Sequence, residues 1–150
     1  IPDSLIDKIV KSRLFNQGFI TVEYLAACLL DMRYHTLKEP QDLDINRFEE
    51  SFFDEIGLIP EIVSRYRSTY FSHIIGGYAA GYYGCIWSEV LDCDAFEAFK
   101  ETGLFDQKTA NAFRKHVLEK NGTADYMSMY VNFRGREPMI EPLLKNRGLQ

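Results

Sequence analysis

The chain has 150 residues, 46% hydrophobic and 26% charged, with a net charge of −5, which suits one soluble globular domain with a core of its own. The acidic balance argues against a nucleic-acid-binding surface, which needs clustered Lys and Arg, and no apolar run approaches the roughly 20 residues of a membrane span. Cys28, Cys85 and Cys93 are odd in number and lack Cys-x-x-Cys spacing, which argues against a disulfide framework or structural zinc site and suits a reducing, cytoplasmic compartment. Cys28 and Cys93 read as small buried hydrophobes. The opening Ile-Pro-Asp-Ser has no initiator methionine and no basic segment leading into an apolar one. No signal peptide is visible; either the methionine has been processed away or the chain is cut from something longer.

Helical periodicity runs nearly throughout. Pro2 suits a first helical turn, after which Leu5, Ile6, Ile9, Val10 and Leu14 recur on one face. After Gly18, Thr21 can cap a second helix through Leu25, Cys28, Leu29 and Met32, apolar on most sides and expected to be buried. Thr36 to Leu43, with Pro40 inside it, reads as a loop. Asp44 opens a third helix with the stripe Ile45, Phe48, Phe52 and Ile56, closed by Gly57. Pro60 starts a short helical piece through Ile62 and Tyr66. A long helix then carries Trp87, Val90, Phe96 and Phe99 to Gly103. Asp106 caps a helix through Ala110, Phe113 and Val117, ended by Asn121-Gly122. Thr123 begins another through Met127, Tyr130 and Phe133 to Gly135, and Pro138 a last one through Ile140, Leu143 and Leu144 to Gly148. No strand pattern, repeat or linker interrupts this series, so the expected architecture is a single all-α domain over residues 1–150.

Before the long helix lies the densest chemistry, His73 to Trp87, which reads His-Ile-Ile-Gly-Gly-Tyr-Ala-Ala-Gly-Tyr-Tyr-Gly-Cys-Ile-Trp. Each glycine inside a helix costs about 1 kcal/mol relative to alanine, so repeated glycines mark a backbone that moves or is approached closely. On a helix, Tyr78, Tyr82 and Cys85 would share one face, with Tyr83 pointing elsewhere. His73, one flexible Gly76-Gly77 turn upstream, can fold back beside Tyr78. An imidazole and a phenol converging there can donate to a carbonyl oxygen becoming an oxyanion, a contribution of about 3 kcal/mol per donor. The competing reading, favoured by residue types alone, is close helix packing with the tyrosines filling core gaps.

Elsewhere the chain offers little. His35, His73 and His116 form no His-Glu-x-x-His pair, and no phosphate loop or nucleophile elbow is present. Arg65 with Arg67, and Arg134 with Arg136, can grip a carboxylate bidentately, but ion pairing within the chain or solvation is the commoner fate of such pairs.

Longer motifs add a resemblance. Arg65 to His73, Gly76-Gly77-Tyr78-Ala79-Ala80-Gly81-Tyr82-Tyr83 and Trp87-Ser88-Glu89-Val90 resemble the C-terminal part of the thimet oligopeptidase and peptidyl-dipeptidase family of zinc metallopeptidases. Ser12 to Gly18 and Leu29-Leu30-Asp31-Met32-Arg33 look like its peptidyl-dipeptidase branch. Gly103-Leu104-Phe105-Asp106 and Phe133 to Pro138 carry the likeness toward Arg147-Gly148-Leu149. The resemblance implies a multi-helix C-terminal domain of the neurolysin-like fold, from a cytoplasmic enzyme that releases C-terminal dipeptides from short peptides. The zinc of such an enzyme is bound by a His-Glu-x-x-His helix and a later glutamate, which would lie upstream of Ile1. A fragment lacking them would be inactive alone, with no metal ligand of its own and the upstream half of the same polypeptide as its partner. The resemblance also implies that His73 and Tyr78 are catalytic, contacting substrate and stabilising the tetrahedral intermediate. Gly76 and Gly77 would belong to a loop closing over the peptide, and Tyr82, Tyr83 and Cys85 would line it. Two departures stand out: Cys85 occupies a position where the family has a functional tyrosine, and the run before Tyr78 is one glycine shorter than in many peptidyl-dipeptidases. The alternative is a stand-alone helical peptide-binding module without catalysis.

Overall fold

A computed structural model describes residues 1–39 and 41–149; Pro40, expected in a loop, lies outside the described residues. These residues form helices and turns with no strand, an all-α architecture. The chain divides into two compact units, Ile1–Cys85 and Ile86–Gln150.

The first unit holds α1 (Asp3–Ser12), α2 (Gln17–His35) and α3 (Ile45–Glu55). None of α1 is buried: Leu5, Ile6, Ile9 and Val10 form the expected stripe, and all are exposed. α2 starts four residues before the expected cap at Thr21. Asn16 sits in the left-handed region at φ 55 and turns the chain into the helix, while its carbonyl accepts from Ile20 N at 3.0 Å. A left-handed asparagine is tolerated because its short side chain can bond locally. The helix is also less buried than its composition suggests. Ala26, Ala27, Cys28, Leu30 and Asp31 face inward, whereas Leu25, Leu29 and Met32 are exposed. α3 matches its expected limits: the Asp44 carboxylate accepts from Arg47 N at 3.2 Å, and Gly57 takes the left-handed φ of 68 that stops it.

The helical piece expected from Pro60 to Tyr66 is absent; one turn closes there, with Ile62 N donating to Ile59 O at 3.0 Å. Two short 3₁₀ turns follow, Ser68–Tyr70 and Ser72–Ile75. They deliver Phe71 and Ile74 into a core shared with Ala27, Cys28 and Tyr82, flanked by Tyr24, Tyr34 and Tyr66.

α4 (Gly84–Thr102) leads into the second unit, with α5 (Gln107–Phe113), α6 (Tyr126–Arg134) and α7 (Glu141–Asn146) after it. Asp106 caps α5 as expected, accepting from Thr109 N at 2.7 Å. The segment through Val117 is not continuous α-helix: Arg114–Leu118 widens into a π-turn. The cap of α6 is Asp125, accepting from Ser128 N at 2.8 Å, and not Thr123, whose hydroxyl donates back to Lys120 O. α7 starts at Glu141 with Pro142 in its first turn, three residues past Pro138. Phe99, Phe113 and Phe133 meet edge-on or tilted at centroid distances of 5.1 to 6.5 Å.

Inside this unit Asp94 is fully buried. Arg136 grips it bidentately at 2.6 and 3.1 Å, and Tyr130 donates to it at 2.5 Å. Arg134 pairs with Glu101 at 2.6 and 2.9 Å. This arginine pair is therefore spent within the chain.

Candidate functional site

The glycine–tyrosine segment is not helical. From Gly76 to Tyr83 it is a succession of tight turns, so Tyr78, Tyr82 and Cys85 do not share the helical face their spacing suggested. The turns begin at His73, whose carbonyl accepts from both Gly76 N at 3.3 Å and Tyr78 N at 3.2 Å. Gly81 N then returns to the Tyr78 carbonyl at 2.9 Å. Inside that turn Ala80 has φ 52, in the left-handed region that costs a residue with a Cβ roughly 1–2 kcal/mol.

His73 does fold back beside Tyr78: their rings lie 6.0 Å apart in a T-shaped contact. The imidazole is boxed by aromatic rings, with Tyr66 at 5.0 Å, Tyr82 at 5.3 Å and Phe71 at 6.0 Å. Its Nδ1 is buried and makes no hydrogen bond to the described residues. Tyr78 is 51% exposed, so a phenol reaches solvent next to an imidazole held by packing. That pair can present hydrogen-bond donors to an oxygen brought up from outside.

The other expected site residues divide. Tyr82 is 5% exposed and belongs to the core. Burial, then its bond with Tyr66, push its phenol up to about 12, so it stays protonated at neutral pH. Tyr83 and Cys85 are exposed. Gly76 and Gly77 lie at the surface with no positive φ, and a Cβ built on Gly77 would meet nothing within 4 Å. Neither packing nor backbone conformation demands glycine at 77.

Two buried carboxylates that composition gave no reason to connect with this segment hold the chain, one just upstream of it and one within it. Glu49 of α3, 1% exposed, accepts from the backbone N–H of Ser68 at 2.5 Å and from the Ser68 hydroxyl, and pairs with Arg67 Nε at 2.7 Å. Asp31 of α2, fully buried, accepts from Ala80 N through Oδ1 and from Tyr82 N through Oδ2, each at 3.0 Å. His35, one turn on, sets its Nδ1 against Asp31, hydrogen-bonded to the Asp31 carbonyl at 2.8 Å and 2.9 Å from Oδ1. The Tyr24 hydroxyl completes the hold by donating to the Tyr82 carbonyl at 2.7 Å. The sequence signal was available: a charge inside an otherwise apolar helix needs buried partners. Among the described residues, no three His, Cys, Asp or Glu side chains converge where they could hold a metal ion.

The model of peptidase family M3 matches residues 1–149. The chain belongs to that family. Its M3 relatives include the dipeptidyl carboxypeptidase of Escherichia coli (strain K12), 40% identical over 152 residues, an alignment that takes in 99% of this chain and 22% of that protein. Oligopeptidase A of the same organism is 32% identical over 152 residues, covering 100% of the chain and 22% of the relative. The probable cytosolic oligopeptidase A of Arabidopsis thaliana is 36% identical over 155 residues, with 99% and 22% covered. This M3 chain thus spans about a fifth of the length of the curated relatives it matches.

Proposed function

We propose that this chain is the C-terminal, substrate-channel part of a cytoplasmic zinc-dependent oligopeptidase, a peptidyl-dipeptidase that releases C-terminal dipeptides from short peptides. The name of the E. coli relative, dipeptidyl carboxypeptidase, supports the dipeptidyl assignment. In this reading the zinc ligands belong to the upstream part of the same polypeptide, and it is supported by relatives that extend well beyond the 22% of their length this chain matches. The isolated chain is expected to hydrolyse nothing.

One observation carries the reading: the exposed Tyr78 phenol beside the ring-packed His73. A peptide carbonyl placed against that pair gains donors as its oxygen takes on charge. Donors fixed beforehand stabilise the tetrahedral intermediate more than the ground-state carbonyl, which is what accelerates the step. Gly76 and Gly77, at the surface, leave room for the peptide backbone to come close.

The test is Tyr78→Phe in the enzyme that carries this chain. It should lower kcat and kcat/KM together, by roughly 10²–10³-fold, the usual cost of one oxyanion donor. An increase in KM with kcat unchanged would mean that Tyr78 merely binds substrate.

A further inference from the structure

We infer that Asp31, braced by His35, is a positioning residue for Tyr78: its carboxylate sets the turn from which the phenol projects. The inference rests on the proposal that Tyr78 donates to the reacting carbonyl.

The geometry is compact. Tyr78 opens a four-residue turn closed by Gly81 N on the Tyr78 carbonyl at 2.9 Å. The third residue of that turn, Ala80, gives its N–H to Asp31 Oδ1, and Tyr82, just past the turn, gives its own to Oδ2. One carboxylate therefore fixes the turn's orientation at two points, the nearer only two residues from Tyr78. The same bond offsets the cost of holding Ala80 at φ 52, since backbone strain persists only where its surroundings over-determine it. Asp31 lies wholly inside the protein and touches no solvent, so its influence on a surface phenol passes through the backbone. His35, with its side chain 32% exposed, brings its Nδ1 to 2.9 Å from Oδ1 from the surface side.

An amide in place of the carboxylate keeps one acceptor and turns an NH₂ group toward a backbone N–H, so one of the two bonds becomes a clash of donors. The turn then loosens with little change in core volume. Asp31→Asn, Tyr78→Phe and the double variant are to be compared in the intact enzyme. Asp31→Asn is expected to lower kcat by roughly 10- to 100-fold, as misplacing a reacting group by about 1 Å does, with KM changed by less than about threefold. In the Tyr78→Phe background the same change should cost less than about threefold, because the group being positioned is gone. Full, multiplicative effects in the double variant, or a rise in KM alone, would overturn the inference while leaving Tyr78's role intact. A Tyr78→Phe enzyme as fast as the wild type would instead remove the proposal about Tyr78, and this inference with it. If Asp31→Asn does not accumulate folded, His35→Gln takes its place in the same cycle. It is expected to slow turnover several-fold and to lose that effect beside Tyr78→Phe; an additive result again overturns the assignment.

Discussion

Asp94 shows how a single carboxylate can govern the acid response of its unit. Burial works to raise its pKa, but hydrogen bonds from Arg136 and Tyr130 and the nearby guanidinium charges outweigh it and hold the carboxyl below the usual carboxylate range. Tyr130 answers in the opposite sense: burial and its bond to Asp94 push the phenol well up. A carboxyl whose folded pKa is depressed contributes stability above its unfolded pKa, and that contribution is lost as pH falls through the folded value. Melting temperature should therefore hold steady near neutrality and decline below about pH 4, the unfolded pKa of an aspartate. Asp94→Asn should be destabilised by roughly 3 kcal/mol at pH 7, the order expected when one partner of a buried ion pair is removed, and should have a flatter acid limb. Thermal melts of both forms from pH 3 to pH 7 provide the check; an equally steep acid limb in the variant would assign the acid response to other groups. Little of this was legible beforehand, because nothing near Asp94 in sequence announces Tyr130 or Arg136 as its partners.

Among elements, the legible ones carry their own punctuation. α3 has a carboxylate cap at Asp44, an apolar stripe and a left-handed glycine at its end, all local, and its limits came out as read. Asp44→Ala should cost about 1 kcal/mol of stability, the typical value of an N-cap, measurable by urea denaturation. α2 starts before the expected cap at Thr21 because Asn16 turns the chain through backbone conformation without a side-chain cap. The shared helical face that the spacing of Tyr78, Tyr82 and Cys85 would give does not form, because the turns from Gly76 to Tyr83 depend on Asp31, 49 residues before Ala80. Tertiary bonds of that reach leave no periodic trace. At the same scale, Gly77→Ala separates stability from function. With nothing within 4 Å of the added Cβ, the melting temperature should hold or rise slightly, since alanine narrows the unfolded ensemble. If a peptide backbone passes over this turn, kcat/KM should fall; activity equal to wild type would show that nothing approaches there.

Over the whole molecule, many large apolar side chains stand exposed. Leu5, Ile6, Ile9 and Val10 of α1, with Leu14 and Phe15 after it, are all exposed, and contiguous exposed apolar patches mark surfaces that meet another protein surface. Made by itself, the chain should self-associate at micromolar concentration, sedimenting above its 17.4 kDa. The double substitution Ile6→Glu and Ile9→Glu should return it toward that mass. A monodisperse wild-type species of 17.4 kDa would count against the proposal that α1 is a surface covered by an upstream part of the polypeptide.

The hold on Tyr82 reaches further, into which changes in length the molecule can absorb. Its N–H is taken by Asp31 and its carbonyl by Tyr24, both from α2, while Ile74 is sunk in the core upstream. Between these two moorings the arc around Gly76 and Gly77 is exposed and held only by its own short turn bonds to the His73 and Gly76 carbonyls. A residue gained or lost there changes the reach of the arc and leaves both moorings in register. The same change between Ala80 and Tyr82 would pull one N–H off Asp31. A change in length is thus steered to a single place, the surface arc at Gly76 and Gly77.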